Sequence, residues 1–258
     1  MLDIEQIASF YPENLRSFKR NLLREYMQHK ILEIIFDSSY GNKLAFMGGT
    51  ALRIVHANTR FSEDLDFDNR SIAKKEFEQL SVLIGKKLNL EGYSPDIKNI
   101  FRTAYRSSLR IPDVLYDNKI SGHREEKLLI NIDAEPQNFS YAPDKLIINK
   151  FDIFLRINVV PLDLLLSQKI YAIFARKRMM GRDFYDTVFL FSKIKPNFEY
   201  LSLKLKIQNM DELKKRLLQK CRTINFTILA KEISPFLFNT TDAKKILYFR
   251  DYIQSDFR

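Results

Sequence analysis

The sequence has few of the residues that build disulfides and soft-metal sites. Cys221 is the only cysteine in 258 residues, so no internal disulfide can form. No histidine lies near it in the sequence, so nothing suggests a metal or catalytic pair, and we expect a buried, inert thiol. His29, His56 and His123 lack ligand-like spacing, and we expect each to be structural or exposed.

Long apolar runs are also missing. The chain nowhere contains 18 consecutive apolar residues, which excludes an ordinary membrane span. The N-terminal segment carries acidic residues early and has no long apolar stretch, so a signal peptide is not predicted. No Gly-Lys-Thr phosphate loop occurs, which argues against a P-loop ATPase. We therefore expect a cytoplasmic protein.

Positive charge, in contrast, is in excess. Lysine and arginine number 42 against 32 aspartates and glutamates, which gives a formal net charge of +10. Such a charge attracts a polyanionic partner, with nucleic acid or nucleotide as the first candidate. A surplus of lysine that serves only solubility is the alternative.

The first part of the chain mixes helical and strand patterns. Apolar residues recur with helical spacing over residues 13–36, which predicts one or two amphipathic helices. The apolar run "KLAFM" stops at paired glycines and "TALRIVHAN" follows, so we predict a strand that turns into a helix. "DLDFD" alternates charged and apolar residues, which predicts the next strand, with Leu65 and Phe67 in the core.

A further helix is predicted from an N-cap at Ser71 to a point near Gly92. "FRTAYRSSLRI" and "KLLINIDAEP" have the composition of strands, separated by a polar loop, and would extend a mixed sheet. From "PLDLLLSQKIYAIFAR" onward helical periodicity dominates, and further helices are predicted near residues 183–193, 211–221 and 242–254.

The order of these elements indicates an α/β (α+β) fold with two lobes. We expect a mixed-sheet lobe over residues 1–150 and a mainly α-helical lobe over residues 151–258, with a soft boundary around 140–160. The 45% hydrophobic content supplies enough apolar material for one large domain or two lobes in close contact.

Three acids occupy alternate positions on the predicted strand. Asp64, Asp66 and Asp68 would share one face, and like charges at this spacing make ionisation costly unless a cation is present. Mg²⁺ takes one or two protein carboxylates and completes its shell with water and phosphate oxygens. Asp64 and Asp66 therefore predict a Mg²⁺ site. Taken alone, an Asp-x-Asp pair is usually a solvated strand face.

The glycine turn supplies the other half of a phosphate site. Gly48 and Gly49 allow the backbone to approach a phosphate closely, and the helix that follows them begins with free N–H groups. One helix and a turn separate Thr50 from Asp64, so the two halves would meet at the same end of neighbouring strands. A glycine pair alone is usually just a turn, but the combination favours phosphoryl transfer.

These segments resemble a known family. "GGTALR" followed by "RFSEDLDFD" resembles the first signature of nucleotidyltransferases with the DNA polymerase beta-type fold. More closely, it resembles the AbiEii branch, the toxin component of AbiE-type toxin–antitoxin systems. Residues 160–186, "VPLDLLLSQKIYAIFARKRMMGRDFYD", are similar to the downstream Lys-x-x-Ala and Arg-Asp-x-x-Asp signature of that branch. The resemblance covers most of residues 44–191 and implies a nucleotidyltransferase-like fold with its active site in the cleft between the lobes.

The resemblance also implies roles for individual residues. The catalytic residues would be Asp64, Asp66, Lys169 and Asp183. The nucleotide-binding residues would be Gly48, Gly49, Thr50, Arg53, Lys169 and Arg176. The metal ligands would be Asp64, Asp66 and a third carboxylate on a later strand. In "INIDAEP" we prefer Asp133 for that third position, and Glu135 on the same face stays open.

The second signature also makes sense from spacing alone. Lys169 and Arg176 are seven residues apart on a predicted helix, so they share one face and could hold phosphates. Asp183 and Asp186 lie at the start of the next helix. Arg182 precedes Asp186 by four residues, so a salt-bridged helix start is the structural alternative, for Asp186 above all.

The function expected from these observations is Mg²⁺-dependent nucleotide transfer from an NTP. The resemblance implies an RNA acceptor, with tRNA 3′ ends as the leading candidate, and a cognate antitoxin as partner. Two alternatives stay open: a nucleotidyltransferase that modifies a small molecule or a protein, and a non-catalytic nucleotide-binding module.

Overall fold

The chain is divided between two units whose sequences interleave. The computed structural model describes residues 2–255. Within them, the first unit holds residues 2–55 and 61–160, and the second holds residues 56–60 and 161–255. The chain therefore enters the second unit twice, first for the short segment His56–Arg60 and again at Pro161.

The first unit is built on a mixed sheet, which has seven strands within the described residues. Its strands are β1 (Leu44–Met47), β2 (Leu65–Asn69), β3 (Asp96–Phe101), β4 (Tyr105–Ile111), β5 (Leu128–Glu135), β6 (Asp144–Lys150) and β7 (Ile153–Val159). Its helices are α1 (Ile4–Ser9), α2 (Lys19–Phe36), α3 (Gly48–Ile54), α4 (Lys74–Leu90) and α5 (Val114–Asp117). The strand order is β3-β4-β5-β2-β1-β7-β6, and only the β5–β2 and β1–β7 neighbours are parallel in this sheet. The expected α/β fold with a mixed sheet is confirmed.

The strand predicted from "DLDFD" is β2, and its period-two pattern sorts its side chains as expected. Leu65 and Phe67 are fully buried. The Phe67 ring lies 5.4 Å from that of Phe46 on β1 and 6.2 Å from that of Phe36 at the end of α2. Because successive side chains of a strand point to opposite faces, Asp66 lies on the face away from this aromatic contact.

The prediction that Ser71 caps a helix is wrong, because α4 begins at Lys74. Asn69 organises the turn instead: its side chain accepts the N–H of Ile72 at 2.9 Å and donates to the Ile72 carbonyl at 3.2 Å. The N–H of Ala73 then donates to the Glu76 carboxylate at 2.9 Å, which satisfies one of the free donors at the start of the helix.

Three strands were not anticipated from the sequence. "FRTAYRSSLRI" is not one strand, since Phe101 ends β3 and Tyr105 begins β4. The turn of the β6–β7 hairpin consists of Phe151 and Asp152 and contains no glycine, proline or asparagine. Phe151 has φ +60°, a left-handed conformation that glycine or asparagine more commonly adopts. In addition β6 lies at the edge of the sheet, where Ile147 is exposed, so its apolar pattern is weak.

The second unit is helical. Its helices are α6 (Leu162–Ala175), α7 (Gly181–Phe191), α8 (Phe198–Leu205), α9 (Met210–Cys221), α10 (Phe226–Ile233), α11 (Lys244–Leu247) and α12 (Phe249–Gln254). The sequence did not predict α8 and α10, although each has an asparagine N-cap. Asn197 accepts the N–H of Tyr200 at 2.9 Å, and Asn225 accepts that of Ile228 at 3.2 Å. In residues 2–255, no helix combines the length and the apolar character that a membrane crossing requires.

A buried ionic cluster lies in the first unit around Glu25 of α2. The Glu25 carboxylate accepts from Arg53 Nε at 2.9 Å and from Lys150 Nζ at 2.8 Å. Burial alone would raise the pKa of Glu25, but Arg53 and Lys150 lower it to about 2. His29, one turn further along α2, is also buried, and its Nδ1 lies 2.6 Å from the Glu25 carbonyl oxygen. Burial lowers the pKa of His29 to about 4, so the ring is neutral at pH 7.

We predict that His29 makes the fold sensitive to mild acid. Its pKa falls from an ordinary 6.5 in the unfolded chain to about 4 in the folded one, so protonation favours the unfolded chain. The free energy of unfolding should drop by about 3 kcal/mol between pH 7 and pH 4 through this residue. Denaturant unfolding at a series of pH values measures the slope. His29→Gln should flatten it above pH 5, whereas His123→Gln, at an exposed site, should not. An equal slope in wild type and His29→Gln would contradict the assignment.

Candidate active site

The glycine turn and the acidic strand meet at one close contact. Gly48 follows β1 directly and has φ +78°. A Cβ atom built on Gly48 would lie 2.3 Å from Oδ2 of Asp66, a distance that no real side chain could occupy. Met47 pairs with Asp66 across the antiparallel β1–β2 ladder, so the two strands bring the turn and this carboxylate together. Gly48 is therefore needed both for its backbone conformation and for the space that Asp66 fills.

Thr50 links the same turn to Asp64. Its buried hydroxyl donates to the main-chain carbonyl of Asp64, the residue just before β2. The start of α3 is thereby fixed against the start of β2. The hydroxyl proton points to this carbonyl in the structure, and the expected contact of Thr50 with a phosphate stays a prediction.

Asp64 belongs to a row of polar side chains that runs from β4 through β5 to the residue just before β2. Asn131 of β5 donates from Nδ2 to Oδ1 of Asp64 at 2.9 Å. Ser108 of β4 donates in turn to Oδ1 of Asn131 at 2.8 Å. Ser108 thus orients Asn131, and Asn131 holds one carboxylate oxygen of Asp64 in place.

A second row contains Asp66 and the predicted third acid. Asp133 of β5 pairs with Asp66 of β2 in the parallel ladder and with Arg106 of β4 in the antiparallel one. Arg106 binds both oxygens of Asp133, with Nε donating at 2.6 Å and Nη2 at 2.8 Å. Asp133 does lie beside Asp66 as expected, but a guanidinium competes for its oxygens. Glu135, the alternative third acid, is exposed and pairs with Asp68.

Asp68, the last acid of the alternating set, is buried. Its carboxylate accepts the main-chain N–H of Gln137 at 2.9 Å and the hydroxyl of Tyr141 at 2.6 Å. Both donors belong to the segment between β5 and β6. Asp68 therefore anchors that segment to the sheet.

The donor set suits a hard divalent cation. Carboxylate oxygens are the protein ligands that Mg²⁺ prefers, and one or two of them suffice when phosphate oxygens complete the shell. The Asp66 carboxylate lies against Gly48 and Thr50 ties the Asp64 main chain to the same turn, and the Mg²⁺ site expected at Asp64 and Asp66 stays a prediction. Among the described residues, no group of three or more His, Cys, Asp or Glu side chains is arranged to hold a metal ion.

The second unit contains its own charged cluster, centred on Asp186 of α7. Arg60 binds this carboxylate with Nε at 2.7 Å and Nη2 at 2.6 Å, and Asn58 donates to it at 2.8 Å. Both Arg60 and Asp186 are buried. Burial would raise the pKa of Asp186, but Arg60 and Lys169 lower it to about 2. Asp186 is therefore in a salt bridge, as the structural alternative expected, but its partner is Arg60 and not Arg182.

Lys169 and Asp183, the pair implied by the second signature, lie in the same cluster. Lys169 is buried on α6, with Nζ 2.9 Å from Asp186 and 3.6 Å from Asp183. Arg176, just after α6, places Nε 2.9 Å from Asp183. The structure brings Lys169, Arg176 and Asp183 together, although Arg176 follows the end of α6 and does not share a helix face with Lys169. In the structure these cations pair with carboxylates, and their contact with nucleotide phosphates stays a prediction.

Comparison with known proteins identifies the family. The sequence profile of the family described as Nucleotidyl transferase AbiEii toxin, Type IV TA system, matches residues 30–252. The chain belongs to this AbiEii family. It is accordingly a nucleotidyltransferase of a toxin–antitoxin type, as the two signatures implied.

Solved structures similar to this AbiEii chain support the fold. The crystal structure of JHP933 from Helicobacter pylori has a TM-score of 0.54 and 18% sequence identity, and the match covers 90% of this chain and 91% of that one. Another H. pylori structure, of a candidate nucleotidyltransferase, has a TM-score of 0.56 and 17% identity, with 90% and 93% covered. No curated protein sequence matched significantly.

Several residues of the candidate site were not found from the sequence. Arg106 and Asn131 belong to no motif, and only the register of β4 and β5 brings them to Asp133 and Asp64. The alternation of "YRSSLRI" carries a weak signal, since Arg106 and Ser108 share a strand face. Arg60 has no such signal, because its partner lies 126 positions away in the sequence.

We predict that Gly48→Ala disrupts the AbiEii site beyond its effect on the backbone. Gly92→Ala is the matched control, because Gly92 also has a left-handed φ, +88°, but a Cβ there would meet nothing within 4 Å. Both variants should lose about 1–2 kcal/mol of unfolding free energy through backbone strain. Only Gly48→Ala should lose more than this and also lose nucleotide transfer, because its methyl group displaces Asp66. Equal losses of stability in the two variants, with transfer intact, would show that the contact is not needed.

A second prediction separates Asp186 from its neighbours. Asp186→Ala removes the carboxylate that binds the buried Arg60 through two hydrogen bonds and should cost about 3–5 kcal/mol of unfolding free energy. Arg182→Ala, at an exposed position, should change it by less than about 0.5 kcal/mol. The double variant Arg60→Met with Asp186→Leu should recover part of the loss, because it removes both charges of this pair, while the buried Lys169 keeps only Asp183 as its partner. Urea unfolding of wild type and the three variants measures these free energies. A large loss of unfolding free energy in Arg182→Ala would show instead that Arg182 stabilises the start of α7.

Proposed function

We propose that this chain transfers a nucleotide from an NTP to a hydroxyl group of RNA, in a Mg²⁺-dependent reaction, with tRNA 3′ ends as the leading acceptor. The hydroxyl oxygen would attack the α-phosphorus, a new phosphodiester bond would form, and pyrophosphate would leave. The observation that carries the proposal is the contact of the Asp66 carboxylate with Gly48, beside Asp64.

The roles of the residues follow from that arrangement. Asp64 and Asp66 would hold Mg²⁺, which when bound neutralises charge on the triphosphate and its leaving group. Asn131 orients Asp64 through its side chain, and Thr50 holds the Asp64 main chain. Positioned groups of this kind lower the barrier because they need no rearrangement as the reaction proceeds.

In the second unit, the resemblance to the AbiEii signature supports catalytic roles for Lys169 and Asp183. Asp183 is buried, and Lys169 Nζ and Arg176 Nε lie 3.6 Å and 2.9 Å from its carboxylate, while Lys169 Nζ also lies 2.9 Å from Asp186. A buried lysine held in this way is preorganised to meet a phosphate oxygen. We propose that Lys169 binds the nucleotide and that Arg176 assists it.

A cavity at the end of the acidic strand supports an RNA acceptor. It has a volume of about 310 Å³ and is lined by residues 68–70, 136 and 138–141. Asp68 follows Asp66 by two positions, about 7 Å along β2. The Arg70 guanidinium lies 5.6 Å from the centre of the Tyr141 ring in this lining. Cationic and aromatic groups together bind the phosphates and bases of single strands.

The net charge of +10 agrees with such an acceptor. Binding driven by the release of counterions from phosphates falls steeply as salt rises. We therefore expect tRNA to bind at low salt and to dissociate largely at moderate salt, as measured by filter binding beside the transfer assay. Binding that is absent or insensitive to salt would favour a small-molecule or protein acceptor.

We predict that Asp66→Asn abolishes transfer while the fold remains intact. The purified chain is incubated with each of the four α-³²P-labelled NTPs and total RNA, and labelled RNA is measured on gels. Loss of the Asp66 carboxylate should reduce transfer on the order of a thousand-fold or more. Glu135→Gln is the matched control on β5 and should keep full activity, since Glu135 is exposed. Wild-type rates in Asp66→Asn would overturn the site, and label in protein or small molecules alone would overturn the RNA acceptor.

A further inference from the structure

Asp133 lies between a carboxylate and a guanidinium. In the register of the sheet, Asp66 is its neighbour on β2 and Arg106 its neighbour on β4. Arg106 holds one Asp133 oxygen with Nε at 2.6 Å and the other with Nη2 at 2.8 Å. The two acids would repel each other across adjacent strands, and Arg106 supplies the compensating positive charge.

The geometry of this pair is the strong form of an ion pair. Two parallel N–H···O bonds from a planar guanidinium to a carboxylate add directional specificity to charge, and arginine keeps its proton at any physiological pH. Its hydrogen bonds with Asp133 raise the pKa of Arg106 further, and the nearby charges of Asp64 and Asp66 contribute in the same direction. Arg106 therefore interacts electrostatically with the whole acidic group and not with Asp133 alone.

An exposed cross-strand salt bridge with no role in the site is the simplest alternative. Half of the Arg106 side chain is exposed, whereas Asp133 is only 16% exposed. A solvated pair of that kind contributes little to stability and would be dispensable. The position of Arg106 argues against this alternative, because the carboxylate that it neutralises, Asp133, is the neighbour of Asp66. In two-metal sites of phosphoryl-transfer enzymes, further ligands of this kind hold the second cation.

We propose that Arg106 is a fixed counter-ion that takes the place of a second divalent cation, so that the site binds one cation through Asp64 and Asp66. Asp133 then orients Arg106 and does not ligate metal. This inference rests on the proposed function, because it concerns the same carboxylates. Arg106 is a positioning residue here, and its half-exposed guanidinium remains accessible to solvent.

The number of cations bound per chain tests the proposal. The probe is Mn²⁺, titrated into the full-length chain and followed by the loss of the free-ion EPR signal, with and without an NTP analogue that cannot be cleaved between the α- and β-phosphates. Wild type should saturate at one Mn²⁺ per chain in the presence of the analogue. Arg106→Gln should gain a second, because both oxygens of Asp133 become available. Adding Asp133→Asn to Arg106→Gln should return the number to one.

Arg110→Gln is the matched control for charge. Arg110 lies on β4 four positions after Arg106, on the same strand face, and its ladder partners are Leu129 of β5 and Asp96 of β3, so it is not a neighbour of Asp133. Its removal changes the net charge equally but leaves Asp133 paired, so the count should stay at one. A gain in Arg110→Gln equal to that in Arg106→Gln would show a general charge effect and overturn the proposal. So would two Mn²⁺ in wild type, or an unchanged count in Arg106→Gln that is shown to be folded by circular dichroism.

The failure of the proposed function gives a different result. If Asp66→Asn binds Mn²⁺ as wild type does and transfers label at the same rate, the metal site itself is wrong. If Asp66→Asn loses both while wild type binds two ions, only the role of Arg106 is wrong. The two conclusions therefore depend on different variants.

Discussion

A carboxylate can lie against the backbone of residue 48 only where that residue has no side chain, and the acidic half of the first unit is arranged around this contact. Gly48 leaves room for Asp66, and the antiparallel pairing of Met47 with Asp66 fixes the position of Gly48 relative to Asp66 along the two strands. The hydroxyl of Thr50 then ties α3 to the residue that precedes β2. The carboxylates are thus placed mainly by backbone register, which side-chain motion cannot easily disturb.

The carboxylates near the site have different hydrogen-bond partners. The type of partner indicates whether a carboxylate has a structural or a chemical role. Asp64 has a neutral amide, Asp133 has a guanidinium, and Asp68 has a main-chain amide and a phenol. In the second unit, Asp186 is surrounded by Arg60, Lys169 and Asn58 and is fully buried. A carboxylate that is neutralised on every side stabilises a fold, whereas one oriented by a neutral donor keeps its charge available for a cation.

The sequence predicted those features that depend on local pattern. The alternation of "DLDFD" and the paired glycines placed β1, β2 and α3, because periodicity and turn chemistry act over a few residues. The helix at Ser71 was misplaced because Asn69 competes for the same turn. Strand partners such as Arg106 and Asn131 could not be found, since register between distant segments is set by the whole sheet. The same is true of Arg60, which meets Asp186 only in the folded chain.

Because of the short segment His56–Arg60, the two structural units are not two continuous stretches of the sequence. This segment is encoded between the glycine turn and the acidic strand of the first unit, yet it folds with the helices that begin a hundred residues later. Recombination at Pro161 between two members of the family would therefore exchange most of the helical unit but leave Asn58 and Arg60 behind with the other parent. Asp186 of one parent would then face residues 58 and 60 of the other. Only a chimaera that takes both residues 56–60 and the helical unit from one parent is certain to keep this cluster unchanged.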